Sequence, residues 1–259
     1  MSLERLLEHR RLWGAKPVLA HVYEPWFSAL LDAAPRGARV LEVGAGPGFL
    51  GEAARGRRPD LRWIASDLHL APWNTLAADA GRLPFAAGSL DAVVGLDVLH
   101  HLAAPADFFR EAARALRPGG RIALVEPWIT AFSWPIYRFV HQEDCRLSVD
   151  PWQPFPAGGK DSFEGDAAVP WKMARDTPAE RWSELGLRPP HVVRLNAFAY
   201  LLSLGFRPAS LLPAGTAPAF IAADRATQPL APLTALRAVL TWDTAWATRG
   251  PGEPSPLRV

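Results

Sequence analysis

A glycine-rich stretch follows the first apolar run that is long enough to form a strand. Val40-Leu41-Glu42-Val43 leads into Gly44-Ala45-Gly46-Pro47-Gly48, and Phe49 begins a predicted helix. Glycines here let the backbone turn sharply and approach a ligand without a Cβ in the way. The free N–H groups at the start of a helix suit an anionic group. Glu42 would repel a pyrophosphate, but it would attract a cationic group such as an amino-acid ammonium.

The spacing of the glycines argues against a dinucleotide ligand. The dinucleotide fingerprint places its third glycine three residues after the second. Here that position holds the bulky Phe49, and the third glycine is Gly48. A nicotinamide-dependent dehydrogenase is therefore disfavoured.

Two acidic residues lie where an adenosine would need them. Asp67 ends the second predicted strand, where a carboxylate can accept hydrogen bonds from ribose hydroxyls. Asp79 can accept a hydrogen bond from an adenine amino group. Each has an alternative interpretation, Asp67 as a helix cap and Asp79 as a turn residue. Their combination with the glycine loop favours a ligand that contains adenosine and an ammonium group.

These segments, in this order, resemble the successive motifs of class I S-adenosylmethionine-dependent methyltransferases. More narrowly, they are similar to the ubiquinone/menaquinone-biosynthesis type, the methyltransferase domain 11 group. The similarity covers about residues 38–126, and the stretches that carry it are Val40–Leu50, Ser66–Leu68, Asp79–Phe85, Gly88–Val94 and Leu116–Gly120. It implies that S-adenosylmethionine is the cofactor and S-adenosylhomocysteine the product.

The resemblance also implies which residues bind the cofactor. They are Glu42, Gly44, Ala45 and Gly46 at the methionine end, Asp67 at the ribose, Leu68, Asp79 and Ala80 at the adenine, and Leu96 on the sulfonium side. Tyr23 is a further candidate for a cofactor contact from the N-terminal region. His101, just after the fourth predicted strand, is a candidate for a contact to the ligand.

The chemistry of methyl transfer asks little of the protein's side chains. The reaction is an in-line displacement, which depends on proximity and desolvation, and a general base is needed only if the acceptor must lose a proton. The candidates for a catalytic role are His141, His101 and Tyr137. The stretch His141–Cys145 sets a histidine beside two carboxylates, but no second cluster with ligand spacing accompanies it, so no metal site is predicted. A solvated acidic turn is the alternative for that stretch.

Strands alternate with helices in the first half of the chain, and the strands are continuous apolar runs. This pattern predicts an α/β fold, with a Rossmann-like, mostly parallel sheet and helices on both faces. The resemblance adds that the sheet has seven strands, the last antiparallel. We expect an N-terminal helical cap at 1–35, the S-adenosylmethionine-binding core at 36–126, an insertion at 127–190, the C-terminal part of the sheet at 191–248 and a mobile tail at 249–259.

The insertion is predicted to be a helical or irregular lid, because an unstructured loop of that length is improbable in a compact domain. It contains five of the eleven tryptophans, namely Trp128, Trp134, Trp152, Trp171 and Trp182. These either form the core of the lid or line an acceptor pocket. Gly158-Gly159 is predicted to act as a hinge.

Composition restricts the partners and the location. The formal net charge is +2 without a concentrated Lys/Arg run, so nucleic acid is not an expected partner. The single cysteine, the absence of an apolar stretch of ~18 residues and the charged start predict a cytoplasmic protein without a membrane span. We expect a small-molecule acceptor, methylated at oxygen or carbon, and a monomer or homodimer. The alternatives are a nucleic-acid methyltransferase, disfavoured by the sequence Leu96–Leu99, and a non-catalytic cofactor-binding protein.

Overall fold

The computed structural model describes residues 3–141, 143–155 and 164–245. Within them seven strands form one sheet in the order β3-β2-β1-β4-β5-β7-β6. All neighbouring strands are parallel except β7, which is antiparallel to both β5 and β6. The strands are β1 (Arg39–Glu42), β2 (Arg62–Asp67), β3 (Leu76–Ala77), β4 (Leu90–Leu96), β5 (Leu116–Pro127), β6 (His191–Leu195) and β7 (Arg237–Asp243). The predicted fold class is confirmed.

Helices cover both faces of the sheet, because the central strands are apolar on both sides. Val94 and Val125 face a core that includes α2, α3 and α8, while Val93 and Leu124 face a second core that includes α4, α6 and α7. The helices are α1 (Leu3–Ala15), α2 (Pro17–Asp32), α3 (Phe49–Arg57), α4 (Pro105–Ala115), α5 (Ser133–Phe139), α6 (Ala168–Asp176), α7 (Ala179–Glu184), α8 (Phe198–Ser203), α9 (Ala217–Ala226) and α10 (Ala231–Thr234). None of the described helices is long and apolar enough to cross a membrane.

Several predicted segments contain more than one element. The N-terminal helical cap expected at 1–35 comprises two helices, interrupted at Lys16 because Pro17 begins the second one. Arg117–Gly120, within the stretch Leu116–Gly120 that carries part of the resemblance, forms a bulge in β5, where the register with β4 shifts. The segment expected to complete the sheet at 191–248 contains β6 and β7 with α8, α9 and α10 between them. The predicted hinge Gly158-Gly159 and the tail at 249–259 lie outside the described residues.

Lys16 joins the N-terminal helices to a segment near the other end of the chain. Its side chain is buried, and Nζ lies 2.7–2.9 Å from the carbonyl oxygens of Ser203, Gly205, Arg207 and Ala209. These four carbonyls belong to the last residue of α8 and to the turn that follows it. The ammonium group of Lys16 is therefore the hydrogen-bond donor for carbonyl oxygens of a loop that has few backbone partners of its own.

Candidate functional site

A cavity of about 1030 Å³ opens at the carboxyl edge of β1, β2 and β4. This is the edge where ligands bind in open α/β sheets. The glycine loop after β1 forms part of its wall, and Ile136, Val140, His141, Glu143 and the start of β7 form another part. The cavity therefore extends from the predicted cofactor region to residues that the sequence assigns to the insertion.

The glycine loop needs its glycines for steric reasons. Gly44 has a φ of 62°, and a Cβ there would lie 2.5 Å from Cγ2 of Val98. Gly48 has a φ of 83°, and a Cβ there would lie 2.4 Å from the Trp73 ring. Trp73 also donates from its indole nitrogen to the carbonyl oxygen of Gly46 at 2.7 Å. The loop is thus held from outside while its inner surface faces the cavity.

Glu42 lies at the end of β1 and lines the cavity, although only 3% of its surface is exposed. The Trp63 indole donates to its Oε2 at 2.8 Å. Burial raises the pKa of Glu42 to about 8, and the Trp63 contact offsets only part of that effect. A cationic group bound next to this carboxyl would favour its ionised form. The assignment of Glu42 to an ammonium pocket stays a prediction.

Asp67 lines the cavity at the end of β2 and also shapes the glycine loop. Its Oδ2 accepts the amide of Gly46 at 2.9 Å, and its Oδ1 accepts the amide of His69 at 3.2 Å. A carboxylate has about four acceptor positions, so capacity remains for ligand hydroxyls. Leu68, next in the chain, lines the cavity with 54% of its surface exposed.

The other predicted cofactor residues also line the cavity: Tyr23, Gly44, Ala45, Gly46, Asp79, Ala80, Leu96 and His101. Asp79 accepts the amide of Gly81 at 2.8 Å, which fixes its carboxylate at the cavity wall. Tyr23 is buried, and burial raises the pKa of its hydroxyl well above the usual value. It therefore stays neutral, as a possible hydrogen-bond donor.

Three histidines and two glutamates meet at the far end of the cavity. We call them the histidine–glutamate cluster: His100, His101, Glu126, His141 and Glu143. Glu126 is fully buried, and its Oε1 accepts the amides of Val98 and Leu99 at 2.9 and 2.7 Å. Its Oε2 lies 2.5 Å from His100 Nδ1. His100 Nε2 lies 3.2 Å from Glu143 Oε2.

The cluster shifts the pKa values of its members in opposite directions. Burial lowers the pKa of His100, but the carboxylates of Glu126 and Glu143 outweigh burial and raise it to about 10. Burial raises the pKa of Glu143, but His100, aided by the charges of His101 and His141, lowers it to about 2. Glu143 is therefore ionised at neutral pH, with a cationic His100 behind it.

His101 and His141 line the cavity, as does Glu143, whereas Tyr137 does not. The side chain of Tyr137 is buried, and its hydroxyl donates to the carbonyl oxygen of Leu236 at 2.6 Å. Burial also raises the pKa of this hydroxyl above its ordinary value, so it stays protonated at neutral pH and is a poor general base. The structure thus gives Tyr137 a packing role, and its predicted catalytic role is not supported.

The tryptophans of the insertion are also absent from the described cavity wall. Trp182 is fully buried, with its ring centroid 4.9 Å from that of Phe109 and 5.6 Å from that of Trp242. Trp152 and Trp171 pack against the same core. For Trp128, Trp152, Trp171 and Trp182 the interpretation as an acceptor pocket is therefore replaced by core packing on the second face of the sheet. Trp134 is exposed and packs edge-on against Phe139.

Two charged residues of the cavity escaped the sequence analysis as candidates. Arg237, the first residue of β7, is 3% exposed, and its Nη2 lies 2.5 Å from Oδ1 of Asp97. Its guanidinium carbon lies 4.5 Å from the ring centroid of Trp26. Asp97 directly follows β4, and its φ of 54° could not be foreseen. The position of Asp97 directly after a parallel strand could have marked it as a candidate. No feature of the sequence marks Arg237 in the same way.

His100 and Glu126 were likewise not candidates, although the structure makes them the centre of the cluster. Glu126 interrupts the apolar run of β5 near its carboxyl end. A carboxylate within a buried strand must find a partner, and this was the available signal.

Comparison with known proteins gives a consistent result. A family model described as a methyltransferase domain matches residues 28–124. An uncharacterized methyltransferase of Mycobacterium sp. (strain JLS) is 34% identical over 128 residues, which cover 44% of this chain and 49% of that protein. The demethylmenaquinone methyltransferase of Beutenbergia cavernae is 33% identical over 154 residues, 51% of each chain. The chain thus spans about half the length of these curated relatives.

A solved structure shares the fold over nearly the whole chain. It belongs to the complex between the Haloferax volcanii Trm112 methyltransferase activator and a methyltransferase. The alignment covers 93% of this chain and 96% of that chain, with a TM-score of 0.51 and 17% identity. At this identity the likeness concerns the fold alone. The resemblance derived from the sequence is confirmed by the family match and the relatives.

Proposed function

We propose that this chain, whose residues 28–124 match the methyltransferase domain, transfers a methyl group from S-adenosylmethionine to oxygen or carbon of a small molecule. The observation that carries the proposal is the set of three acidic side chains, Glu42, Asp67 and Asp79, along one cavity beside the glycine loop. Their order matches the ammonium, the ribose and the adenine of the cofactor.

The residues of this region fit the cofactor in shape as well as in charge. Gly44 leaves no room for a side chain, so the backbone itself can contact a ligand. The apolar Leu68 and the amide of Ala80 suit an adenine ring and its edge, and Leu96 suits the sulfonium side. Bound S-adenosylmethionine would supply an activated methyl group on a cationic sulfur.

The other end of the cavity would receive the acceptor. Arg237, Asp97 and Glu143 provide charges there, and burial increases the strength of their interactions. His101 and His141 remain our candidates for taking a proton from the acceptor, with the ionised Glu143 beside them. The role of residues 127–190 as a lid is part of this proposal. The lid is supported by the positions of Ile136, Val140 and His141, which belong to these residues and line the cavity.

We further propose that the enzyme works in the cytoplasm as a monomer or homodimer. The single cysteine, Cys145, is a buried free thiol, which suits a reducing compartment. The cavity walls, rather than a basic surface, carry the charges of the site, which favours a small acceptor over a nucleic acid.

Titration calorimetry with S-adenosylmethionine, S-adenosylhomocysteine and NAD tests the proposal. We expect saturable binding of the first two and far weaker binding of NAD. A release of S-adenosylhomocysteine that depends on added extracts or small-molecule libraries would then identify the acceptor. Tight NAD binding without binding of S-adenosylmethionine would overturn the proposal.

The substitution Asp67→Asn is expected to weaken S-adenosylmethionine binding by about 1–3 kcal/mol, because a charged acceptor of the ribose hydroxyls is replaced by a neutral one. The amide oxygen can still accept from Gly46, but the amide nitrogen cannot accept from His69, so the melting temperature should fall slightly while the protein stays folded. Asp32→Asn, at the exposed end of α2, is the matched control and should bind normally. Unchanged affinity in Asp67→Asn would remove Asp67 from the cofactor site.

A further inference from the structure

The histidine–glutamate cluster joins two parts of the sequence that lack metal-ligand spacing on their own. The stretch at 141–145 holds one histidine beside two carboxylates. The fold packs the turn Leu99–His101 against it, so that His100, His101 and Glu143 each offer one ligand atom within 4.8 Å of the others. The second set of ligands that the sequence lacks is thereby supplied by the tertiary structure.

Distances around Glu143 differ from those of ordinary charged hydrogen bonds. His100 Nε2 lies 3.2 Å from Oε2, His101 Nε2 lies 3.6 Å from Oε1 and His141 Nδ1 lies 3.8 Å from Oε2. Charge-assisted N–H···O bonds are about 2.7–2.9 Å long. Among the described residues, Oε2 of Glu143 is buried and has no hydrogen-bond partner of proper geometry.

The same distances suit ligands that share one ion. Ligand atoms at about 2.0–2.1 Å from a tetrahedral zinc ion are separated by about 3.3 Å. The gaps of 3.2 and 3.6 Å between the histidine nitrogens and the Glu143 oxygens lie close to that separation. Imidazole and carboxylate together are a donor set that zinc and similar divalent ions accept.

His100 is also oriented as metal-binding histidines usually are. Such a histidine directs its second ring nitrogen to a carboxylate, which fixes the ring and its tautomer. Here Nδ1 faces Glu126 at 2.5 Å, and Glu126 is itself held by two backbone amides. Nε2 is thereby directed toward Glu143.

The chain encloses the cluster from one side and leaves another side open. A Cβ at Gly165 would come within 2.8–3.0 Å of His100, His101 and Glu143, so the backbone passes directly over these side chains. On the opposite side, the side chains of His101 and Glu143 keep 19% and 20% exposure and line the cavity. An ion held there would be shielded by Gly165 and accessible from the cavity.

We propose that His100, His101 and Glu143 form a binding site for one divalent transition-metal ion of the zinc class, with a free coordination position toward the cavity. The site does not depend on the proposed methyl transfer. If that function holds, the free position would lie in the acceptor region, where the ion could bind an acceptor oxygen.

The test uses the full chain without an affinity tag, freed of metal by dialysis against a chelator. Zn²⁺ titrated in competition with a chromophoric chelator should show one equivalent bound, and Co²⁺ should give the visible absorption bands of a low-coordinate site. His101→Ala and Glu143→Gln should each weaken Zn²⁺ binding at least ~10-fold, since each removes a ligand. His191→Ala, an exposed histidine of β6, should bind as the unmodified protein does.

Circular dichroism and the melting temperature, measured without metal, show whether each variant is folded. Two variants are used because His101 and Glu143 are both partly exposed, and loss of either side chain leaves the Glu126 contacts intact. Absence of stoichiometric binding, or binding that neither variant weakens, would overturn the metal site. Calorimetry with S-adenosylmethionine on the metal-free Glu143→Gln variant keeps the two proposals apart, because Glu143 is not among the proposed cofactor residues.

Discussion

Glu42→Gln is expected to make the ligand-free protein more stable at pH 8 while it weakens binding of S-adenosylmethionine. The pKa of Glu42 is about 8 in the folded protein, against an ordinary value of 4.5. Between these values the folded state binds more protons than the unfolded state, so stability falls as the pH rises. The free energy of unfolding falls by at most about 1.4 kcal/mol per pH unit. Glutamine does not titrate, so the substitution removes this pH dependence.

The same substitution acts on the cofactor in the opposite direction. An ammonium beside Glu42 requires the ionised carboxylate, so binding to the unmodified protein should strengthen from pH 6 to pH 8. Glutamine cannot ionise, and the loss of a charged hydrogen bond is expected to cost about 1.5–3 kcal/mol, or roughly 10- to 150-fold in affinity. The Trp63 indole can still donate to the glutamine oxygen, so the local packing should persist.

Urea unfolding at pH 5 and pH 8, with calorimetry at both values, measures the two effects. Glu184→Gln, an exposed glutamate on α7, is the matched control and should change neither quantity. If Glu42→Gln binds S-adenosylmethionine normally at pH 8, Glu42 has no contact with the ammonium. If its stability keeps the pH dependence of the unmodified protein, the titrating group lies elsewhere.

Lys16→Met is expected to lower the free energy of unfolding by about 3–5 kcal/mol. Methionine fills a similar volume but donates nothing, so several of the four carbonyls between Ser203 and Ala209 lose their partner. A buried polar group left unsatisfied costs about 1–3 kcal/mol, and water entering a loosened loop would recover part of the loss. Leu204 and Phe206 of this loop line the cavity, so cofactor affinity should fall as well.

Chemical denaturation of the ligand-free protein gives this free energy directly. Lys172→Met is the matched control, because Lys172 donates to one carbonyl, that of Leu147, and pairs with Asp176 near the surface. Its expected cost is below about 1 kcal/mol. If Lys16→Met and Lys172→Met lower the free energy of unfolding equally, the four carbonyl contacts of Lys16 add no more stability than the surface contacts of Lys172.

The half of the cavity that holds the proposed cofactor residues was predictable from the sequence because these residues lie within one continuous run. Glu42, the glycine loop and Asp67 are separated by a single helix and strand, and the parallel order of β1 and β2 brings their ends together. Each therefore has a local signal, an apolar strand that ends at a glycine or an acid. The sheet as a whole follows from the same alternation of strands and helices.

The other half of the cavity, where we propose that the acceptor binds, was not predictable, because it is formed by contacts between residues far apart in the sequence. Arg237 meets Asp97 only because β7 is antiparallel, which brings its first residue to the edge where the parallel strands end. His100 meets Glu143 across the start of the insertion. Neither pair has a characteristic spacing in the sequence, so composition and periodicity give no indication of them.

The tryptophans were difficult for a related reason. Aromatic residues near polar ones are equally typical of a pocket and of a core, and Trp182 differs from a pocket residue only by its packing on Phe109 and Trp242. Trp242 belongs to β7, about sixty positions further along the chain. Whether Trp182 belongs to a core or to a pocket therefore depends on where β7 lies in the sheet.

The order of the strands at one side of the sheet has a consequence for folding during synthesis. Among the described strands β6 pairs with β7 alone, and β7 lies between β6 and β5 although it follows both in the chain. As domains are made from the N-terminus at about 5–20 residues per second, β5 would keep an unpaired edge, open to unwanted pairing, while the intervening residues are added. A chaperone that shields this edge, or a slow rate of translation before β7, would then affect the yield of folded protein.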